Sequence, residues 1–355
     1  MMVDHTKRFL VIRLSSIGDI VHALPAVAAL AEAFPRAEIH WAIEARHVQL
    51  LQGNPFVRRV IRLDTLGWRS KVFAAETMEM LIRAIAELRE TRYDAAIDFQ
   101  GLLKSGLIAW LSRSAERVGF SENWLREPGA GLFYTERVTP RSRRHVIEMN
   151  LALVERLGAR FLDHGHWQFP LPRTEEDDRY VEHQLALLDA LEFILINPGG
   201  GWKAKRWAPE NYAELIRKLG NESAWKFLLT GSPDEEGMIR TILERASSPR
   251  AAYIPSTIVQ LISLVRRARL FVGGDTGPLH LAAAAGTPIV AIYSADDPLN
   301  KPERNGPFRP EDITLSNRNA DPQSAAWGRN DAYLWGVSVD SVLAAVRERL
   351  ARAYG

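Results

Sequence analysis

The stretch FVGGDTGPLHLAAAAGTPIVAIY, Phe271 to Tyr293, reads as strand, tight loop, short helix, turn and strand. Leu270 to Val272 is apolar and β-prone, and Gly273-Gly274-Asp275-Thr276-Gly277 interrupts it. Pro278 suits the first turn of a helix, which Leu279 to Ala285 continues in good helix formers. Gly286 stops that helix, Thr287-Pro288 turns, and Ile289 to Tyr293 has the unbroken apolar character of a buried strand. Such a unit is one step of a parallel sheet. Its loop falls at the carboxyl end of a strand, where open α/β sheets place ligands. Three glycines let the backbone approach a ligand closely, and the helix start offers free N–H groups and a positive dipole end to an anion.

The same alternation continues outward from this unit. In the first half, strands are expected at Phe9–Leu14, Glu38–Ile43, Val57–Leu63, Tyr93–Asp98 and Arg117–Phe120. Helices are expected at Ile20–Phe34, His47–Leu51, Glu76–Arg89, from the Gln100–Ser105 turn to about Leu111, and at Val146–Leu157. Ser121 to Arg141 has no clean period and reads as a functional loop with local helix. The irregular, proline-containing Arg160–Arg173 is the candidate linker. Beyond it come helices at Thr174–Leu188, Glu210–Leu219, Glu235–Ala246 and Ile258–Arg267, and strands at Phe193–Ile196 and Lys226–Leu229. Order weakens over Ala295–Gly328, and Val339–Ala353 is a last amphipathic helix. The expected fold class is therefore α/β, with two Rossmann-like parallel-sheet domains, 1–165 and 174–335. The helix at 338–355 is a candidate to pack back on the first of them.

Bulk composition narrows the function. With 355 residues, two ordinary domains are expected, and 46% hydrophobic with 25% charged residues is a globular balance. A net charge of +2 gives no field that points to nucleic acid. The absence of cysteine removes disulfides, thiolate metal sites and cysteine nucleophiles, and fits a reducing cytoplasm. No apolar run approaches the ~20 residues a membrane span needs, and the amino terminus has no signal-peptide core. A cytoplasmic protein with at most peripheral membrane contact is expected.

Four loops at strand ends carry the unusual residues: Ser15–Asp19, Asn197–Trp207, Thr230–Glu235 and Gly273–His280. One lies in the first half and three in the second, which suggests a cleft with the nucleotide held mainly by the second half. Asp19 reads either as the N-cap of the helix at Ile20 or as a general base. Lys205 and Arg206, in GGGWKAKRW, read as a solvated basic loop or as cations for a departing diphosphate. Their spacing is not that of a Walker P-loop, and no G-x-G-x-x-G follows a strand. Glu235 is a favourable first-turn acid or a ribose ligand. His280 is a structural hydrogen-bonder or a phosphate donor. Asp163-His164-Gly165-His166 falls in the linker and Asp296-Asp297 lacks a ligand spacing, so no metal is expected. The first-half arginines Arg58, Arg59, Arg62, Arg137, Arg141, Arg143 and Arg144 form a solvated face or meet an anionic acceptor at a membrane surface.

Five ordered motifs carry a resemblance. Arg13-Leu14-Ser15-Ser16-Ile17-Gly18-Asp19-Ile20-Val21-His22 resembles the first loop of the bacterial lipopolysaccharide heptosyltransferases, and Asp98-Phe99-Gln100-Gly101-Leu102-Leu103-Lys104-Ser105 resembles their D-x-Q-G-L-x-K-S segment. Arg126-Glu127-Pro128, Lys205-Arg206-Trp207 and Asp275-Thr276-Gly277-Pro278-Leu279-His280 follow in order. The resemblance covers about residues 8–310 and is to glycosyltransferase family 9, most similar to its heptosyltransferase I branch. It implies a GT-B fold with the active site between two domains. It also implies inverting, metal-independent transfer of L-glycero-D-manno-heptose from ADP-heptose to Kdo of the lipid A inner core, without a cofactor, at the cytoplasmic face of the inner membrane. By matching position it implies Asp19 as base and Lys205 as stabiliser of the leaving diphosphate. Gly199, Gly200, Glu235, Asp275, Thr276, Gly277 and His280 would hold the donor. Ser15, Ser16, Gly18, Arg58, Gln100, Lys104 and Arg126 would lie on the acceptor side. Two positions depart from the pattern: Gly199-Gly200 stands where heptosyltransferase I often has threonines, and Arg13 where lysine is common. The rival readings are a family 9 transferase for another heptose position or nucleotide sugar, a nucleotide-sugar 2-epimerase, and a non-catalytic nucleotide-sugar-binding protein.

Overall fold

Residues 8–12, RFLVI, become a strand because Phe9, Leu10, Val11 and Ile12 all bury their side chains, alternately against helices on the two faces of a sheet. This strand, β1 (Arg8–Ile12), is central to the first of two units, Met1–Pro172, in the computed structural model of the chain. The structure describes residues 6–65, 67, 75–141, 145–201, 203–294, 301–317, 334 and 336–355. Arg143, Arg144, Asp296 and Asp297 lie outside the described residues.

With β1 stand β2 (Glu38–Glu44), β3 (Arg59–Leu63), β4 (Ala95–Asp98), β5 (Glu116–Phe120) and β6 (Glu136–Val138). All pairs are parallel, in the order β3-β2-β1-β4-β5-β6. Helices α1 (Ile17–Ala33), α2 (Ala75–Arg89), α3 (Leu103–Leu111) and α4 (Val146–Glu155) cover the sheet. Ala84 and Leu88 of α2 and Ile108 and Ala109 of α3 share one core with Leu10, Ile12, Ala42, Ile61 and Ala96. On the other face α4 packs along α1, so α1 is buried almost all round from Gly18 to Leu30 rather than along one stripe.

The second unit, Arg173–Gly355, repeats the plan. Its strands are β7 (Phe193–Asn197), β8 (Lys226–Leu229), β9 (Ala251–Tyr253), β10 (Leu270–Gly274), β11 (Ile289–Tyr293) and β12 (Ile313–Ser316), in the order β12-β11-β10-β7-β8-β9, again all parallel. Its helices are α5 (Glu175–Leu187), α6 (Pro209–Glu222), α7 (Glu236–Ala246), α8 (Ile258–Arg267), α9 (Gly277–Ala285), α10 (Pro302–Asn305) and α11 (Val339–Tyr354). Counted from its own first strand, each sheet has the doubly wound order 3-2-1-4-5-6, whose direction reverses beside the first strand. The switch points lie between β1 and β4 and between β7 and β10. The chain is thus an α/β protein of two Rossmann-like sheets.

Three strands were not expected. β6 lies in the segment read as functional loop, together with 3-10 turns at Glu122–Trp124 and Pro128–Phe133. β9 and β12 are likewise short and only half-buried. The final helix packs on α6 and over β11 and β12 of its own unit. Lys218 reaches Asp340 at 2.6 Å, Arg349 Nε donates to Asp312 at 3.0 Å, and Tyr354 OH donates to the Arg269 carbonyl at 3.1 Å.

Candidate functional site

The residues singled out in the first unit gather where β1 and β4 end. After Ile12 the chain runs through Arg13, Leu14 and the cis Ser15–Ser16 peptide into α1, whose N-cap is Ser16. Asp19 is therefore not the N-cap but sits three residues inside. Its Oδ2 accepts from the Ser16 N–H at 3.1 Å and from the Ser16 hydroxyl at 2.9 Å, a capping-box geometry. Its other oxygen pairs with the buried Arg13 guanidinium, which also donates to the Phe99 carbonyl. Burial pushes the Asp19 pKa up, but Arg13, the Ser16 hydrogen bonds and the charge of Arg126 outweigh it and hold the carboxyl below its ordinary value. Asp19 is thus an ionised carboxylate, its side chain 29% exposed, fixed in direction by three donors.

The adjoining loop is organised by Asp98. Its buried carboxylate accepts from the N–H of Gln100 at 2.8 Å and of Gly101 at 3.2 Å, and from Tyr134 OH at 2.6 Å. Gly101 has φ +69°, which excludes most side chains there. The Gln100 Oε1 accepts from Leu14 N–H at 2.8 Å, so this residue ties the β4 loop to the β1 loop across the switch point. Lys104, in the first turn of α3, donates to Thr65 Oγ1 at 3.1 Å and lies 3.9 Å from Glu44. Glu44 is itself buried at the end of β2 and accepts from the Thr65 N–H and hydroxyl. Arg58 does not join this group. It precedes β3, its N–H bonds Ile39 near the start of β2, and it lies at the amino end of the sheet, opposite Ser15, Ser16, Gly18, Asp19, Gln100 and Lys104.

In the second unit the three expected loops follow β7, β8 and β10. The triple glycine leaves β7 and is pinned by its neighbours. Gly200 N–H donates to Glu235 Oε1 at 3.0 Å, and Arg206 donates twice to the Gly200 carbonyl, at 2.9 and 2.7 Å. Glu235 closes a capping box by accepting from Ser232 N–H at 2.9 Å, so its carboxylate serves two loops at once. A Cβ on Gly199 would meet that carboxylate, so a threonine there, as the family often has, would require the Glu235 side chain to shift.

Asp275 is the hub of the opening stretch. Lys205 Nζ lies 2.6 Å from its Oδ2, with only 10% and 6% of the two side chains exposed. Its Oδ1 accepts from Asn305 Nδ2 at 3.1 Å and stands 3.4 Å from His280 Nε2. Burial raises the Asp275 pKa, but the hydrogen bond and charge of His280 and the pairing with Lys205 overcome this and lower it. Burial and the Asp275 charge together hold the neighbouring Tyr293 phenol well above its ordinary value, hence neutral. Thr276 is the N-cap of α9, and its hydroxyl donates to Asn197 Oδ1 at 3.2 Å, joining the β10 loop to the end of β7. A Cβ on Gly273 would lie 2.8 Å from the Asn197 carbonyl, so this strand end admits glycine only.

Each unit thus gathers its candidate residues at its own switch point: a fixed carboxylate beside basic side chains in the first, and glycine-rich backbone with Lys205, His280 and a helix start in the second. Arg13, Glu44 and Thr65 in the first and Asn197 and Asn305 in the second hold these sets but were not expected to. Asn197 stands at a legible strand end, whereas Asn305 comes from the segment after Tyr293 that showed no pattern. Among the described residues, no three His, Asp or Glu side chains gather as a metal would need.

The sequence model of glycosyltransferase family 9 (heptosyltransferase) matches residues 81–332. Lipopolysaccharide heptosyltransferase 1 of Escherichia coli K12 is 30% identical over 302 residues, 82% of this chain and 89% of the relative. The protein of the same description from Pseudomonas aeruginosa PAO1 is also 30% identical, over 82% of this chain and 79% of its own. Among solved structures, E. coli heptosyltransferase WaaC with ADP-2-deoxy-2-fluoro heptose superposes with a TM-score of 0.74 at 25% identity, covering 96% of this chain and 99% of its own. E. coli ADP-heptose LPS heptosyltransferase II, at 23% identity and TM-score 0.75 over 98% and 100% of the two chains, shares the fold.

Proposed function

Because the chain belongs to glycosyltransferase family 9, the heptosyltransferases, we propose that it transfers L-glycero-D-manno-heptose from ADP-heptose to a Kdo sugar of the lipid A inner core, with inversion and without a metal. The chain is a glycosyltransferase of the heptosyltransferase type, of lipopolysaccharide core assembly. The donor reading is supported by the related WaaC, solved with an ADP-heptose analogue. The acceptor reading is supported by the 30% identity to lipopolysaccharide heptosyltransferase 1.

The observation that carries the mechanism is the fixed, ionised Asp19. In this reading the acceptor hydroxyl gives its proton to the Asp19 carboxylate as its oxygen attacks the anomeric carbon. The carbon–oxygen bond to the diphosphate breaks on the opposite face, its electrons leaving with ADP, and the configuration inverts. An oxocarbenium-like transition state gains from a base on one side and fixed positive charge on the other. The second unit supplies the latter. Lys205 and the start of α9, with Thr276, Gly277 and His280, take the growing diphosphate charge, and Glu235, beside Gly199 and Gly200, holds the ribose. Lys104 and Arg126 meet an anionic acceptor, with Ser15, Ser16, Gly18 and Gln100 shaping its loop. This chemistry assigns no task to a metal. The work is done at the cytoplasmic face of the inner membrane, where the acceptor lipid lies.

The test is incubation with ADP-heptose and Kdo2-lipid A, scored by product mass and anomeric configuration, with and without a chelator. The expected product gains one inverted heptose, and chelation changes nothing. Asp19→Ala should lower turnover by roughly 10²–10⁴-fold while leaving ADP affinity unchanged. Near-normal turnover in that variant would remove the base assignment, and no product from Kdo2-lipid A would redirect the reading to another family 9 acceptor or donor.

A further inference from the structure

The outward face of α3 is apolar in a way that its packing does not require. Ile108 and Ala109 fill the core beneath it. Leu103, Leu107 and Trp110, spaced i, i+4 and i+7, are 49%, 41% and 53% exposed. The 3-10 turn Pro128–Phe133 packs along this helix, with Ala130 and Phe133 against Gly106, and its Leu132 is 82% exposed. Beside α3, over the same core, α2 leaves Met78, Met80 and Ile82 exposed as well. Among the described residues, six of the twelve large apolar side chains that are exposed stand on these two neighbouring helices. Scattered single apolar residues need no explanation, but a concentration of this kind marks a surface that meets something.

Charge indicates what it meets. Residues 103–111 contain no acid, and their one charge is Lys104. Arg113, exposed just past the helix, donates its N–H to the Trp110 carbonyl at 3.1 Å. Arg126, also exposed, precedes the turn, and the exposed Arg137 donates to the Gly131 carbonyl at 3.1 Å. Of the acids nearby, Glu127 accepts from Leu103 N–H at 2.7 Å, Glu136 pairs with Arg156 at 2.8 Å and Glu79 of α2 pairs with Arg83, while Glu122, in the turn packed against Pro128–Phe133, is exposed. Aliphatic side chains and a tryptophan at the centre, ringed by cations, match a bilayer interface. There apolar groups enter the acyl boundary, tryptophan lies at headgroup depth and basic side chains meet anionic phosphates. No helix among the described residues is long and apolar enough to cross a membrane.

We propose that this face of α3 and the Pro128–Phe133 turn seats the first unit on an anionic lipid bilayer, with Leu103, Leu107, Trp110 and Leu132 entering the headgroup boundary. The inference rests on the reading of the acceptor as a membrane lipid. α3 follows closely on Gln100 and carries Lys104 in its first turn, so a seated helix brings the acceptor-side loop to the headgroups rather than requiring the lipid to leave them.

The test is co-sedimentation of the full chain with phosphatidylglycerol–phosphatidylethanolamine vesicles, against pure phosphatidylcholine vesicles. The wild type should sediment with the anionic vesicles and be released by salt. Leu107→Glu/Trp110→Glu, and separately Leu132→Glu, should weaken that partitioning by about tenfold or more, since each loses apolar burial and gains like charge. Melting temperature and ADP affinity should stay unchanged, because these side chains are exposed and lie outside the donor loops. Equal partitioning of the variants, or no binding by the wild type, overturns the proposal. A wild-type dimer that the same substitutions dissociate also overturns it, since a second copy would then be the occupant. Failure of the functional reading is a different result: no heptose transfer even to detergent-dispersed acceptor, whereas vesicle binding is read without catalysis.

Discussion

Arg13 and Asp19 show how one residue sets the working range of another. The guanidinium favours the carboxylate, so Asp19 stays ionised to a lower pH than an ordinary aspartate. A base must be deprotonated to act, so for Asp19 as the proposed base the acid limb of the pH–rate profile should lie on the acid side of an ordinary aspartate. Arg13→Met removes the cation, raises the Asp19 pKa and should move that limb to higher pH, and Arg13→Lys should move it back. Measuring kcat/KM against pH for the three proteins checks this, and a limb that stays in place would show that Arg13 only holds the Phe99 carbonyl. Asp19 was read as a possible N-cap but lies inside the helix, because capping depends on where α1 begins and nothing local distinguishes Ile17 from Ile20 as its first residue. The residues that orient the site were harder to see for a physical reason. Glu44 and Lys104, or Asp275 and Asn305, meet through tertiary contacts 30 or more residues apart, and no periodicity records such a meeting.

At the scale of elements, buried strands were legible, and of the four edge strands only β3 was. β1, β7, β10 and β11 are continuous apolar runs because both their faces are covered. β6, β9 and β12 lie at three of the four sheet edges, run three or four residues and keep half-exposed, mixed side chains, so they carry neither a run nor an alternation. Helices with caps were read closely: α5 begins after Thr174, whose hydroxyl accepts from Asp177 N–H at 3.1 Å. One turn into that helix, Asp178 joins α5 to α8. Burial raises its pKa, but Ser263, Arg173 and Arg267 bring it down to about 2. A carboxyl whose folded pKa is depressed contributes stability that is complete above its unfolded value near 3.8 and fades as pH falls toward 2. Asp178→Asn should therefore cost about 2 kcal/mol at neutral pH, and the difference from wild type should shrink by roughly half near pH 3. Urea unfolding of the second unit at both pH values measures it, and a pH-independent difference would assign the loss to packing.

At the scale of the whole molecule, every proposed donor-binding residue, from Gly199 to His280, belongs to the second unit, which has its own core. Residues 173–355 produced alone should fold and bind ADP within about threefold of the full chain, since 1.4 kcal/mol would be tenfold, yet transfer nothing. Titration calorimetry checks this, and loss of ADP binding with retained folding would place part of the nucleotide site in the first unit. The doubly wound order has a further consequence, in time rather than in space. The strand at the middle of each sheet is the one made first. β1 pairs with β4 through Phe9 and Ala95, 86 residues later, and β7 pairs with β10 through Ile194 and Leu270, 76 residues later. At a synthesis rate of about 5–20 residues per second, β1 waits roughly 4–17 s on the ribosome with one edge unsatisfied and Phe9, Leu10, Val11 and Ile12 incompletely covered. The seconds before Ala95–Asp98 emerges are when this chain most needs a chaperone, and they recur when β7 awaits β10.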